Sequence, residues 1–139
     1  MEITSDLVKV QFRKLWSLYL CRMQLCKRLE KQAMSEEKLS FVKHFQRETL
    51  QFLREMGNFD WICGQNCLPS MPACKSLYDI DHQLLNTYYA LQADSSWEDE
   101  SPELSRFLMR NLGRVKASLQ LLQHLYYPHF RYRIKNINV

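Results

Sequence analysis

Apolar positions recur every three or four residues in four separate stretches of the chain. That is the period of one face of an α-helix. The first stretch predicts a helix over about residues 5 to 33, with Val8, Phe12, Leu15, Tyr19, Met23 and Cys26 as its stripe. Trp16, Leu18, Leu20, Leu25 and Leu29 widen that stripe almost all round. A helix apolar on most sides sits centrally in a bundle or under a partner, so Leu15, Trp16 and Tyr19 are expected to be buried. The second helix is predicted over about 36 to 56 through Leu39, Val42, Phe45, Phe52, Leu53 and Met56. Ser35 is its N-cap, and Glu36 and Glu37 suit the positive end of the helix dipole. Gly57 is expected to stop it in the left-handed conformation.

Leu77, Ile80, Leu84, Tyr88 and Leu91 predict a third helix over about 77 to 92. Leu104, Leu108, Val115, Leu119, Leu122 and Tyr126 predict a fourth over about 102 to 127. Ser101 followed by Pro102 is a strong start signal, and Pro128 is a stop. Between these lie loops over 57–76 and 93–101; the first holds Pro69 and Pro72, which lack the amide hydrogen a helix interior needs. After Pro128 the string HFRYRIK alternates with period two and reads as extended. The expected fold class is all-α: one domain over 1–139, a bundle of four main helices with an extended C-terminal tail over 128–139.

Composition fits that picture. Of 139 residues, 46% are apolar, enough for a packed core, and three glycines and four prolines leave few turns between long elements. No run of 18 apolar residues exists, so no membrane span is expected. Glu2, Asp6, Lys9, Arg13 and Lys14 interrupt the first twenty residues where a secretory signal would be apolar, which points to an intracellular protein. The five cysteines are then expected to be reduced, with Cys21 and Cys26 as small core residues.

Charge falls in blocks. Residues 1–34 carry a balance of +4, 35–75 balance to zero, 76–104 hold seven acids and no Lys or Arg, and 105–139 hold seven basic residues and no acid. Pairing of the acidic third helix with the basic fourth is expected to account for part of this. The tail lies beyond the helix, so its charges call for another role.

Candidate chemistry is sparse. Cys63, Cys67, Cys74 and His82 read C-x3-C-x6-C-x7-H, but structural zinc favours tight C-x2-C pairs, so no metal is expected. Glycines occur only at 57, 64 and 113, so no phosphate-cradling loop exists. No spacing singles out a base among His44, His82, His124 and His129 for a cysteine nucleophile. No enzyme activity and no cofactor are expected. Ser95, Ser96 and Ser101 sit among acids, and a phosphate on Ser101 would be tolerated at a helix start.

LREMGN (Leu53 to Asn58) resembles the Leu-x-x-x-Gly-Asp core of the apoptosis regulators, and NLGR (Asn111 to Arg114) resembles their Asn-Trp-Gly-Arg string. Asn58 stands where the first motif has an acid and Leu112 where the second has tryptophan, and 25 residues after Arg114 are too few for the remaining helices of that fold. The expected local roles of these glycines are a helix stop at Gly57 and close helix packing at Gly113.

The functional expectation is a non-catalytic intracellular protein–protein interaction module, a subunit or domain of a larger assembly. Its contact residues are expected at Arg110, Arg114 and Lys116 on the fourth helix and at Phe130, Arg131, Tyr132, Arg133 and Lys135 in the tail. The alternative is a nucleic-acid-binding helical module, with the basic first and fourth helices and the tail on phosphates and the tail's aromatics on bases. Another protein is the expected partner and a membrane is not; self-association stays open.

Overall fold

Three of the four helices begin on a serine whose side chain takes up an otherwise orphaned backbone donor. Ser35 Oγ accepts from the Lys38 amide at 3.3 Å, Ser76 Oγ from the Asp79 amide at 3.1 Å, and Ser101 Oγ from the Leu104 amide at 3.4 Å. The computed structural model describes residues 6–32, 35–59, 76–93, 97 and 101–126. It is all-α, with helices α1 (Asp6–Glu30), α2 (Glu36–Met56), α3 (Leu77–Ala93) and α4 (Pro102–Tyr126). No strand occurs among the described residues, and the tail read as extended lies outside them.

Helix ends follow the bonds available to the last carbonyls. Lys31 N bonds Arg28 O and Gln32 N bonds Leu29 O, so α1 tightens into a final turn and stops short of residue 33. Gly57 does not take the expected left-handed conformation; its φ of −60° and ψ of −18° are right-handed. The terminal carbonyls of α2 are met by Gly57 N on Leu53 O, Asn58 N on Glu55 O and Phe59 N on Met56 O, and no reversal is needed.

α1 packs against α2 and α3, while α4 packs chiefly on α3 and touches α2. A run of rings crosses the bundle: Tyr19 of α1 stacks on Phe52 of α2 at 3.6 Å, and Phe52 stacks on Phe107 of α4 at 5.1 Å. Leu15 and Tyr19 are buried as expected, but Trp16 is only partly buried against the core, and Leu7 and Val10 are largely exposed. α1 has two main neighbours, so part of its circumference faces outward.

Two residues stand apart from what the sequence pattern assigned. Trp97, within the acid-rich stretch expected as a loop over 93–101, is buried. Its indole Nε1 donates to Leu91 O at 2.9 Å, and its ring meets Phe12 edge-on at 5.4 Å. Gly113 does not permit close helix packing; it is exposed, and a Cβ there would meet nothing within 4 Å. Two substitutions separate these environments. Leu15→Ala should cost about 2–5 kcal/mol by opening a void in the core. Gly113→Ala should gain about 1 kcal/mol, because a helix-interior glycine loses more backbone entropy on folding than alanine. Denaturant melts check both, and a wild-type midpoint for Leu15→Ala would contradict its place in the core.

Candidate functional site

A cation lies in the middle of the bundle. Arg22 of α1 is 2% exposed, and it faces Asp81 of α3, which is fully buried. Nε stands 3.2 Å from Asp81 Oδ1 without the alignment of a hydrogen bond, and Nη2 donates to Oδ2 at 3.4 Å. The same Nη2 donates to Ser118 Oγ of α4 at 3.4 Å, and the guanidinium lies 3.9 Å from the centre of the Phe45 ring of α2. Ser118 Oγ in turn donates to Glu48 Oε2 at 3.4 Å, and Glu48 Oε1 meets His44 Nε2 at 3.1 Å. Every helix therefore contributes to one polar chain that runs from half-exposed His44 to the interior.

Burial dominates the electrostatics. Loss of water pushes the Asp81 carboxyl up to about 7, against the pull of Arg22. One turn before Arg22, Tyr19 shares a 2.6 Å hydrogen bond with Tyr88 of α3, and burial raises both phenols. One turn after it, burial pushes the Cys26 thiol up to about 12, so it stays protonated at neutral pH and is a core residue rather than a nucleophile. Neither of two surface clefts is lined by Arg22 or Asp81. One, of about 330 Å³, opens between Glu55, Asn58 and Phe59 on one side and Glu103, Arg106, Phe107 and Arg110 on the other. The buried chain is thus a clasp between helices, and none of its residues lines either cleft.

The expected contact residues on α4 point in different directions. Arg110 Nη2 bonds Glu55 Oε2 of α2 at 3.3 Å, Arg114 Nη1 donates to Asn111 Oδ1 at 3.4 Å, and Lys116 Nζ stands 5.5 Å from the centre of the Tyr89 ring of α3. Phe130, Arg131, Tyr132, Arg133 and Lys135 lie outside the described residues, as do Ser95 and Ser96. α3 and α4 do pack together, yet Asp81 finds its cation on α1 and Arg110 finds its acid on α2. Beside the basic side chains, Tyr89, Met109 and Leu121 are 45%, 54% and 44% exposed.

Of the cysteine–histidine set, Cys63, Cys67 and Cys74 lie outside the described residues, and His82 packs against the Tyr78 ring. No group of His, Cys, Asp or Glu among the described residues is arranged to hold a metal ion. No helix there is long and apolar enough to cross a membrane. The chain matches no protein-family model, no curated protein and no solved structure.

The sequence pattern passed over Arg22 and Asp81 because it counted apolar positions. Both nonetheless stand in register with the core: Arg22 lies three and four residues from Tyr19, Leu18, Leu25 and Cys26, and Asp81 lies four after Leu77 and three before Leu84. Their removal should be costly. Arg22→Ala leaves a carboxyl buried without its partner, which should cost about 3–5 kcal/mol. Asp81 adds a pH dependence. Its folded value of about 7 exceeds the unfolded value near ~4, so between them the folded chain holds a proton that the unfolded chain has released. The stability from this site is full at low pH and is lost as pH rises through about 7. From pH 5 to 8 the wild type should lose about 2–3 kcal/mol relative to Asp81→Asn, which cannot titrate there. Melts of both proteins across that range check this; a gap that does not move with pH would mean an ordinary carboxylate.

Proposed function

We propose that the chain is a non-catalytic intracellular protein-interaction module, a subunit or domain of a larger assembly, and that α4 and the tail beyond it carry the contact. The observation behind this is the outward side of α4. Exposed Met109 and Leu121 accompany exposed Arg106, Arg110 and Lys116 there, and exposed Tyr89 of α3 lies under the Lys116 ammonium. Apolar side chains held in water beside charge are what a protein contact uses.

A nucleic-acid reading draws on the seven basic residues with no acid after Leu104. Against it, Arg110 is engaged by Glu55 and Arg114 by Asn111, so these side chains do not line one continuous phosphate track.

On this reading the tail serves the contact and not the core, so charge reversal at Arg131, Arg133 and Lys135 should leave the melt within about 0.5 kcal/mol of wild type, as substitutions outside the core usually do. It should weaken partner capture from nuclease-treated cell extract. Unchanged capture would remove the tail from the contact. Binding to a short single strand and a short duplex at two salt concentrations tests the other reading, which predicts affinity that falls steeply with salt.

A further inference from the structure

We propose that the exposed face of α4 seats an acidic amphipathic helix from a partner protein, laid along the row Met109, Gly113, Ala117 and Leu121. This inference rests on the interaction reading above and names the partner's chemistry.

The four residues stand four apart and all are exposed. Such a row forms a ridge inclined to the helix axis by about 26°, the line along which one helix beds against another. From Met109 to Leu121 it spans about 18 Å at 1.5 Å per residue, more than three helical turns. Its middle is low: Gly113 has no side chain, open space surrounds the position, and Ala117 adds one methyl. Its ends are high, with Met109 54% and Leu121 44% exposed. A helix lying along it would have its backbone approach closely in the middle while its side chains are gripped at both ends. Tyr89 of α3, 45% exposed, extends the apolar surface beside Lys116.

The charge around the row selects the occupant. At about 100° per residue, Arg106 and Arg110 fall on one side of Met109 and Lys116 on the other. All three are exposed, and α4 has no acid after Glu103; Arg110 is already met by Glu55 of α2 at 3.3 Å, so Arg106 on one flank and Lys116 on the other carry most of the selection. α3 brings no opposing charge, because residues 82–93 contain no Asp, Glu, Lys or Arg. The row is therefore apolar with basic flanks, and it complements an apolar stripe with acidic flanks. A second copy offering the same face would set Arg106, Arg110 and Lys116 against their own counterparts, and like charges across a contact oppose it. Nucleic acid would leave Met109 and Leu121 unused.

The test uses a synthetic helical peptide of Leu and Ala on one face with Glu on both flanks, a twin with Lys in place of Glu, and the full chain. The Glu peptide should bind, and more weakly as salt rises. Amide NMR shifts should centre on Tyr89, Met109, Gly113, Ala117 and Leu121, and the Lys peptide should not bind. Gly113→Gln and Ala117→Gln fill the low middle with neutral bulk; each should weaken binding at least about tenfold, which is about 1.4 kcal/mol. Circular dichroism melts confirm that the variants fold. No binding of the Glu peptide at low salt, equal binding of both peptides, or shifts centred elsewhere would overturn the proposal. So would a dimer in sedimentation that Gly113→Gln dissociates, which would assign the face to a second copy. If wild type and Gly113→Gln capture the same cellular protein equally well, the interaction reading stands and this face is removed from it.

Discussion

A guanidinium in an apolar interior imposes its needs on everything around it. Arg22 cannot shed its charge, and moving that charge out of water is tolerable only where partners are already in place. The bundle supplies them from three directions: Asp81 from α3, Ser118 from α4 and the face of Phe45 from α2. A shift of α3 by one turn would carry Asp81 about 5.4 Å away and leave both charges stranded. Apolar packing alone tolerates many arrangements of four helices. The buried cation penalises those in which its partners are displaced, so it specifies register even though a buried pair adds little net stability.

The same turns of α1 carry the aromatic contacts. Tyr19 lies one turn before Arg22, stacked on Phe52 and hydrogen-bonded to Tyr88. Cys26 lies one turn after. Along this face α1 meets α2 and α3 through rings and charge together. α2 reaches α4 through Phe52 on Phe107, and through Glu48, which accepts from Ser118. Polar and apolar contacts thus share one interior, and the polar ones sit where several helices converge.

The helices were legible in the sequence because their signals are local. Serine caps, Pro102 and the three-and-four spacing put α2 and the start of α4 at their observed bounds. What was not legible depends on contacts between distant parts of the chain. Arg22 was counted with the basic residues of the first block, although its register with Leu18 and Cys26 marked it as a core position. Asp81 stood equally in register with Leu77 and Leu84. Trp97 was hidden by the acids around it, and no periodicity could show that its indole reaches Leu91 O. Gly57 and Gly113 were given roles natural for glycine, yet the one closes a right-handed turn and the other faces open space. On α4, charge read from sequence gave the sign of the surface but not the directions of Arg110, Arg114 and Lys116, which Glu55, Asn111 and Tyr89 decide.

Interior and surface are coupled through α4. A helix can rotate about its axis unless something fixes its azimuth, and on α4 Phe107 stacked on Phe52 and Arg110 on Glu55 share that task with Ser118. The Ser118 hydroxyl accepts from Arg22 while donating to Glu48, which resists rotation further. Residues one apart on a helix point about 100° from each other, so holding Ser118 inward turns Ala117 outward, with Gly113 and Met109 following at four-residue steps. Arg22 therefore acts beyond the core. By holding one hydroxyl of α4 it adds to the packing of Phe107 and the buried leucines in keeping the row Met109, Gly113, Ala117 and Leu121 turned to water.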